Sequence, residues 1–160
     1  MKETELQQLL EECQALAGEE DFEILKDLLT GVRNKLRDDG TYLGHILGME
    51  GNLEGDTFEL TLPLTSLVNN HLGILHGGIT ATVIDSAMGI LANKMLPKGT
   101  AAVTTQLNIH YIAPGTGRCL NCSARVVHRG TKTMVMEADI RRDDGTKIAH
   151  ATGSFFIVKK

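Results

Sequence analysis

The chain has 160 residues, 42% of them hydrophobic and 22% charged, which suits one globular domain with enough apolar material for a core. A formal net charge of −4, with no one-sided cluster of Lys and Arg, excludes a nucleic-acid footprint. The start Met1-Lys2-Glu3-Thr4-Glu5 carries acids where a secretory signal needs basic residues, and no apolar run reaches membrane-spanning length, so the expectation is a cytoplasmic protein with neither nucleic acid nor membrane as partner.

Residues 1–40 read as an N-terminal helical extension. Leu6, Leu9, Leu10, Cys13 and Leu16 recur at spacings of three and four, and Leu25, Leu28, Leu29, Val32 and Leu36 follow after a break near Gly18. Acids line the polar side, so these helices are expected to pack on the main domain or a second subunit rather than on a membrane. The main domain is placed at residues 41–160. After Asp38-Asp39-Gly40 the period changes to two: Phe58, Leu60, Leu62 and Leu64 alternate with Thr57, Glu59 and Thr61. That predicts a strand region from Tyr42 to Leu64 with one buried face. A helix is predicted between His76 and Met95, opened by Gly77-Gly78 and closed before Pro97-Lys98-Gly99.

Four strands are predicted beyond it. In the first, Val103, Leu107, Ile109 and Tyr111 alternate with Thr104, Gln106, Asn108 and His110, and Pro114-Gly115 ends the run. Cys119 to His128 and Thr133 to Ile140 flank a turn at Gly130, and Asp143-Asp144-Gly145 turns into a last strand from Lys147 to Val158. The class expected is α+β, an antiparallel sheet with one long helix against a face.

That helix, Gly77 to Asn93, is apolar on nearly all sides through Ile79, Val83, Ile84, Ala87, Met88, Ile90 and Leu91, so it belongs inside a wrapped sheet. The stripe around Asp85 consists of Gly78, Ala81, Thr82, Met88, Gly89 and Ala92, mostly small residues that admit a second backbone or a slim ligand. An occluded carboxylate there is costly unless paired or functional, which leaves a general base or an acid satisfied by neighbouring hydroxyls and amides. The first-turn amides at Gly77 and Gly78 have no acceptor within the helix and suit a carbonyl oxygen that becomes an oxyanion, although a tight strand-to-helix turn uses the same glycines. From Gly77 to Asp85 the helix rises about 12 Å, too far for both to touch one reacting carbon. If both act, they come from different chains, with two helices antiparallel along their small stripes and two equivalent sites per two-fold dimer.

The run Asn70-His71-Leu72-Gly73-Ile74-Leu75-His76-Gly77-Gly78-Ile79-Thr80-Ala81-Thr82-Val83-Ile84-Asp85 closely resembles the signature of hotdog-fold acyl-CoA thioesterases of the phenylacetate-degradation (PaaI) type. The likeness extends from Tyr42 to Val158, including Asn108 to Gly115 and the turn Arg129-Gly130-Thr131-Lys132-Thr133. It implies a sheet wrapped around the long helix, a homodimer joined sheet edge to sheet edge with acyl-CoA sites at its interface, and dimers that pair into a homotetramer. Residue by residue, it implies that Asp85 activates the hydrolytic water or attacks the thioester itself. Gly77 corresponds to the amide donor to the thioester oxygen, with His76 beside it and Gly78 in the substrate loop. Asn70 corresponds to the side chain that positions substrate or water, and Thr104 to a hydroxyl near the carboxylate. Alternation places Thr104 on the polar row with Gln106 and Asn108, where a solvated threonine is the alternative. For His76, a residue that caps the glycine turn competes with a general base. Arg129 and Lys132, with Arg125, either meet the phosphates of coenzyme A or line a solvated sheet edge.

Cys119-Leu120-Asn121-Cys122 has metal-ligand spacing but no second pair, and residues three apart in a strand point to opposite faces. The histidines lie in different elements, so no metal is expected, and no cofactor beyond the coenzyme A of the substrate. Two other functions stay open: a hydratase of acyl thioesters, which wants a histidine acid/base in the helix or facing it, where this helix carries Asp85 without a partnering histidine, and a non-catalytic acyl-CoA sensor carrying the N-terminal extension.

Overall fold

The computed structural model describes residues 2–159, with side chains from residue 3. The chain divides into two compact units, Met1–Leu47 and Gly48–Lys160. The first holds helices α1 (Lys2–Leu16), α2 (Glu19–Arg37) and α3 (Tyr42–Ile46). Glu19, Glu20 and Asp21 open α2, and Lys35 and Arg37 close it, so its end charges complement the helix dipole. At Gly31, a Cβ would sit 2.5 Å from the Ile46 Cα, so α2 and α3 meet at a residue that only glycine can fill.

Helix α3 corrects the strand expected to begin at Tyr42. Thr41 caps it, its Oγ1 accepting from the Gly44 amide at 3.0 Å. Five residues are too few to show a helical period, and the strand alternation proper begins only at Thr57.

The second unit contains β1 (Glu50–Glu54), β2 (Thr57–Pro63), a 3₁₀ turn at Ser66–Val68, the long helix α4 (Gly77–Lys94), and β3 (Thr100–Tyr111), β4 (Cys119–Arg129), β5 (Thr133–Arg142) and β6 (Lys147–Lys159). All strands form one antiparallel sheet in the order β1-β2-β4-β5-β6-β3. This is the expected α+β arrangement. Alternation sends Phe58, Leu60 and Leu62 of β2, Leu120, Cys122 and Ala124 of β4, and Met134, Met136, Ala138 and Ile140 of β5 to the buried face, with Ala151 and Phe155 from β6. Val83, Ile84, Ala87, Met88 and Leu91 of α4 are fully buried against them. Gly153 makes room for the helix, since a Cβ there would lie 2.9 Å from the Met88 Cε.

The opposite sheet face is polar, with Glu59, Ser123, Glu137, Asp139 and His150 on adjacent strands. Met88 and Ala92 leave the expected small stripe, because both turn into the core. The open side of α4 is instead Gly78, Thr82, Asp85, Gly89 and Asn93, all exposed or half-buried. Among the described residues no helix is long and apolar enough to cross a membrane.

Candidate active site

Strand β3 closes one edge of the sheet, pairing with β6 on one side only. Its register breaks once: Thr104 opposes Phe155, Gln106 opposes Ser154, and Thr105 is left over as a β-bulge. The extra residue reverses the parity of everything before it. Val103 therefore lies opposite the exposed Phe156, while Thr104 lies opposite the buried Phe155 and faces α4. Both placements overturn simple alternation, which had Val103 on the apolar row and Thr104 on the polar one. The trace in the sequence is Thr105, a polar residue where the alternation requires an apolar one.

The bulge has a chemical consequence. The Thr104 hydroxyl donates to Asp85 Oδ1 at 2.8 Å, joining the strand to the middle of α4. Asp85 itself is half-buried rather than occluded, because its neighbours on the open side of α4 are small. Among the described residues that hydroxyl is the only hydrogen-bond partner of the carboxylate, and Oδ2 is left open.

The loop before α4 shapes the other half. Asn70 Oδ1 accepts from the Leu72 amide at 2.8 Å, and the Asn70 backbone amide donates to the Ile74 carbonyl at 2.8 Å, closing the turn around Gly73. The Leu75 amide donates to the Gly115 carbonyl and the His76 amide to the Val68 carbonyl, at 3.0 and 2.9 Å. His76 is the N-cap: its Nδ1 accepts from the Gly78 amide at 2.9 Å. The Tyr111 hydroxyl donates to the Gly77 carbonyl at 2.8 Å. Of the two glycine amides, that of Gly78 is thus committed to the cap, while no backbone acceptor takes that of Gly77 among the described residues. Sequence reasoning assigned Tyr111 only to the apolar row of its strand; its place at the end of that row, just before Pro114-Gly115, was the available signal.

Arg129 and Lys132 are exposed at the β4–β5 hairpin, where the Lys132 carbonyl accepts from the Ile157 amide at 2.8 Å. Register places that hairpin level with Val103, since Thr133 opposes Phe156 and Phe156 opposes Val103. It therefore lies toward the Thr104–Asp85 end of β3, not the Tyr111–Gly77 end. Arg125 is engaged in an ion pair with Glu137 at 2.6 Å. Cys13, Cys119 and Cys122 are free thiols. Burial, with the charges of Glu59 and Asp139 behind it, pushes the Cys122 thiol up to about 12, which makes it an inert core residue.

Comparison with known proteins places the chain in a class. The profile of the thioesterase superfamily matches residues 72–149. An esterase candidate of Halobacterium salinarum is 33% identical over 130 residues, which span 74% of this chain and 83% of that one. The chain belongs to the thioesterase superfamily, a hydrolytic family, and its fold is the hotdog fold. A Bacillus halodurans protein solved with CoA superposes with a TM-score of 0.88 at 41% identity, covering 94% of this chain and 99% of its own. Acyl-coenzyme A thioesterase 13 of Mus musculus is 32% identical over 72 residues, 44% of this chain and 51% of that one.

Proposed function

We propose that this protein hydrolyses acyl-CoA thioesters at two equivalent sites shared across a homodimer. The observation that carries the reading is the Asp85 carboxylate, oriented by Thr104 through one oxygen and open at the other, on the same helix whose first-turn Gly77 amide is unclaimed. A water held at Oδ2 attacks the thioester carbonyl carbon and passes its proton to Asp85. The carbonyl oxygen takes the electron pair and is stabilised by the Gly77 N–H of a second copy, aided by the positive end of that helix. Collapse of the adduct breaks the C–S bond, and the proton leaves Asp85 with the coenzyme A thiol. Asn70 shapes the loop that borders the carbonyl, and no metal or further cofactor enters the chemistry.

Three features support a second copy. The roughly 12 Å between Gly77 and Asp85 exceeds the reach of one reacting carbon. The outer edge of β3 has no strand partner among the described residues and exposes Val103, Tyr111 and, just beyond it, Ile112, a surface that proteins cover rather than leave open. Tyr111 marks the Gly77 level of β3 and Thr104 the Asp85 level. Antiparallel pairing of two β3 edges about a point between them sets Asp85 of one copy against Gly77 of the other. The same pairing puts Arg129 and Lys132 on the Asp85 side of each site, as cations for the phosphates of coenzyme A.

The relatives named as acyl-CoA thioesterases support the substrate class, as does the neighbour solved with CoA. The test is thiol release over a panel of aryl- and alkyl-acyl-CoAs. Release by the wild type, lost in Asp85→Asn, is expected. Tight binding without thiol release would instead indicate a sensor, and hydration of enoyl-CoA a hydratase.

A further inference from the structure

The peptide between Gly77 and Gly78 joins two residues with no side chain to restrict them, and such a pair loses more freedom on folding than any other. Yet both polar groups of that one peptide are gripped by side chains. Its carbonyl, on Gly77, accepts from the Tyr111 hydroxyl at 2.8 Å. Its N–H, on Gly78, donates to His76 Nδ1 at 2.9 Å. Because a peptide unit is planar, holding both groups sets the plane of that peptide and restrains ψ of Gly77; the adjoining peptide, which carries the Gly77 N–H, is held at its other end by the His76 carbonyl, which accepts from the Ile79 and Thr80 amides at 3.0 and 3.1 Å. The tyrosine ring lies along the same glycine, since a Cβ at Gly77 would meet its Cε1, Cζ and hydroxyl oxygen at 3.6 Å. Within one protomer Tyr111 is 58% exposed, so the protomer's core does not require the bond.

We infer that Tyr111 is a positioning residue, locking the Gly77–Gly78 peptide so that the free Gly77 N–H is aimed at the oxygen of the scissile carbonyl. One strand then serves half of each of the two sites: β3 orients the carboxylate of one through Thr104 and the oxyanion donor of the other through Tyr111. The catalytic consequence rests on the thioesterase reading above; the conformational part does not.

Tyr111→Phe removes the hydroxyl and keeps the ring. The control variant is Gly77→Pro, which deletes the amide itself. Proline is favoured at the first helical position, and His76 at φ −65 and ψ 131 already has the backbone that precedes a proline. With an acyl-CoA that the wild type turns over, Tyr111→Phe should lower kcat about tenfold, the scale of one hydrogen bond, with KM within about twofold. In the Gly77→Pro background the same change should cost nearly nothing, because the group it aims is gone. Hydrogen exchange at the Gly78 amide should quicken in Tyr111→Phe while the core amides of α4 stay protected. An unchanged kcat overturns the inference, as does an equal factor in both backgrounds, which would mean general loosening. If the wild type hydrolyses no acyl-CoA, the thioesterase reading falls and the exchange measurement alone decides: unchanged exchange at Gly78 overturns the lock.

Discussion

Two aspartates of the sheet unit are half-buried, and they differ in what holds them. Asp139, on the outer sheet face, has Lys147 Nζ at 2.7 Å from Oδ2 and His150 Nδ1 at 2.8 Å from Oδ1. Burial pushes its carboxyl up, but the hydrogen bonds from Lys147 and His150, followed by their charges, outweigh that and hold it below the ordinary 3.8. Asp85, on α4, has one neutral hydroxyl and one open oxygen. The outer-face acid has both oxygens committed, so it fastens strands together. The acid on α4 is oriented by a neutral hydroxyl and has one oxygen open, the arrangement that the proposed base or nucleophile needs. Partner chemistry, rather than burial, separates the two acids.

The sharpest way to break that contrast is to neutralise each acid in turn. Asp85→Asn keeps the shape and the threonine contact while removing the base, so kcat should fall about 10³-fold, within the range for a lost general base, with the melting temperature preserved. An Asp85→Asn enzyme with normal turnover would end the assignment. Gly77→Pro should cost about 10²-fold in kcat, the scale of one lost oxyanion donor. Mixing the two inactive chains adds a geometric test: each heterodimer regenerates one intact site, so random reassortment should return about a quarter of wild-type activity. No recovery after verified subunit exchange would place both groups in one chain's site.

Thr104→Val comes next. It deletes the hydroxyl but keeps the branched shape that suits a strand, and kcat should drop about tenfold as Asp85 loses its orientation. Unchanged turnover with a normal pH profile would show that the carboxylate needs no holder.

This residue also marks where the sequence stopped being legible. Strand and helix existence followed from period, because β2, β4, β5 and β6 bury alternate residues and α4 buries one stripe through Thr80, Val83, Ile84, Ala87, Met88, Leu91 and Ala92. The Gly77-Gly78 start and Asp85 were visible by type and spacing. Thr104 was on the wrong row because a bulge at Thr105 changes parity, and parity propagates along a strand. Tyr111 was hidden for a different reason: a hydroxyl that reaches a carbonyl 34 residues away in sequence leaves no periodic signature. The depth of Asp85 was misjudged as well, since Met88 and Ala92 turn into the core and leave the aspartate beside an open stripe.

The smallest expected effect belongs to Asp139→Asn, and it should appear in stability rather than turnover. Because the folded-state pKa of Asp139 lies below its unfolded value, the acid contributes stability that is fully present above the unfolded pKa and is lost as the pH falls through the folded one. Wild-type melting temperatures should therefore decline on acidification below about pH 4, and the asparagine variant should show a shallower decline over the same window. The difference at neutral pH should stay below about 1 kcal/mol, since the pair is partly solvated and screened. Thermal unfolding followed by circular dichroism from neutral to acid pH measures both slopes, and the same samples assayed for thiol release should retain wild-type kcat. A variant that instead lost turnover with its fold intact would tie the outer face to catalysis and dissolve the distinction between the two aspartates.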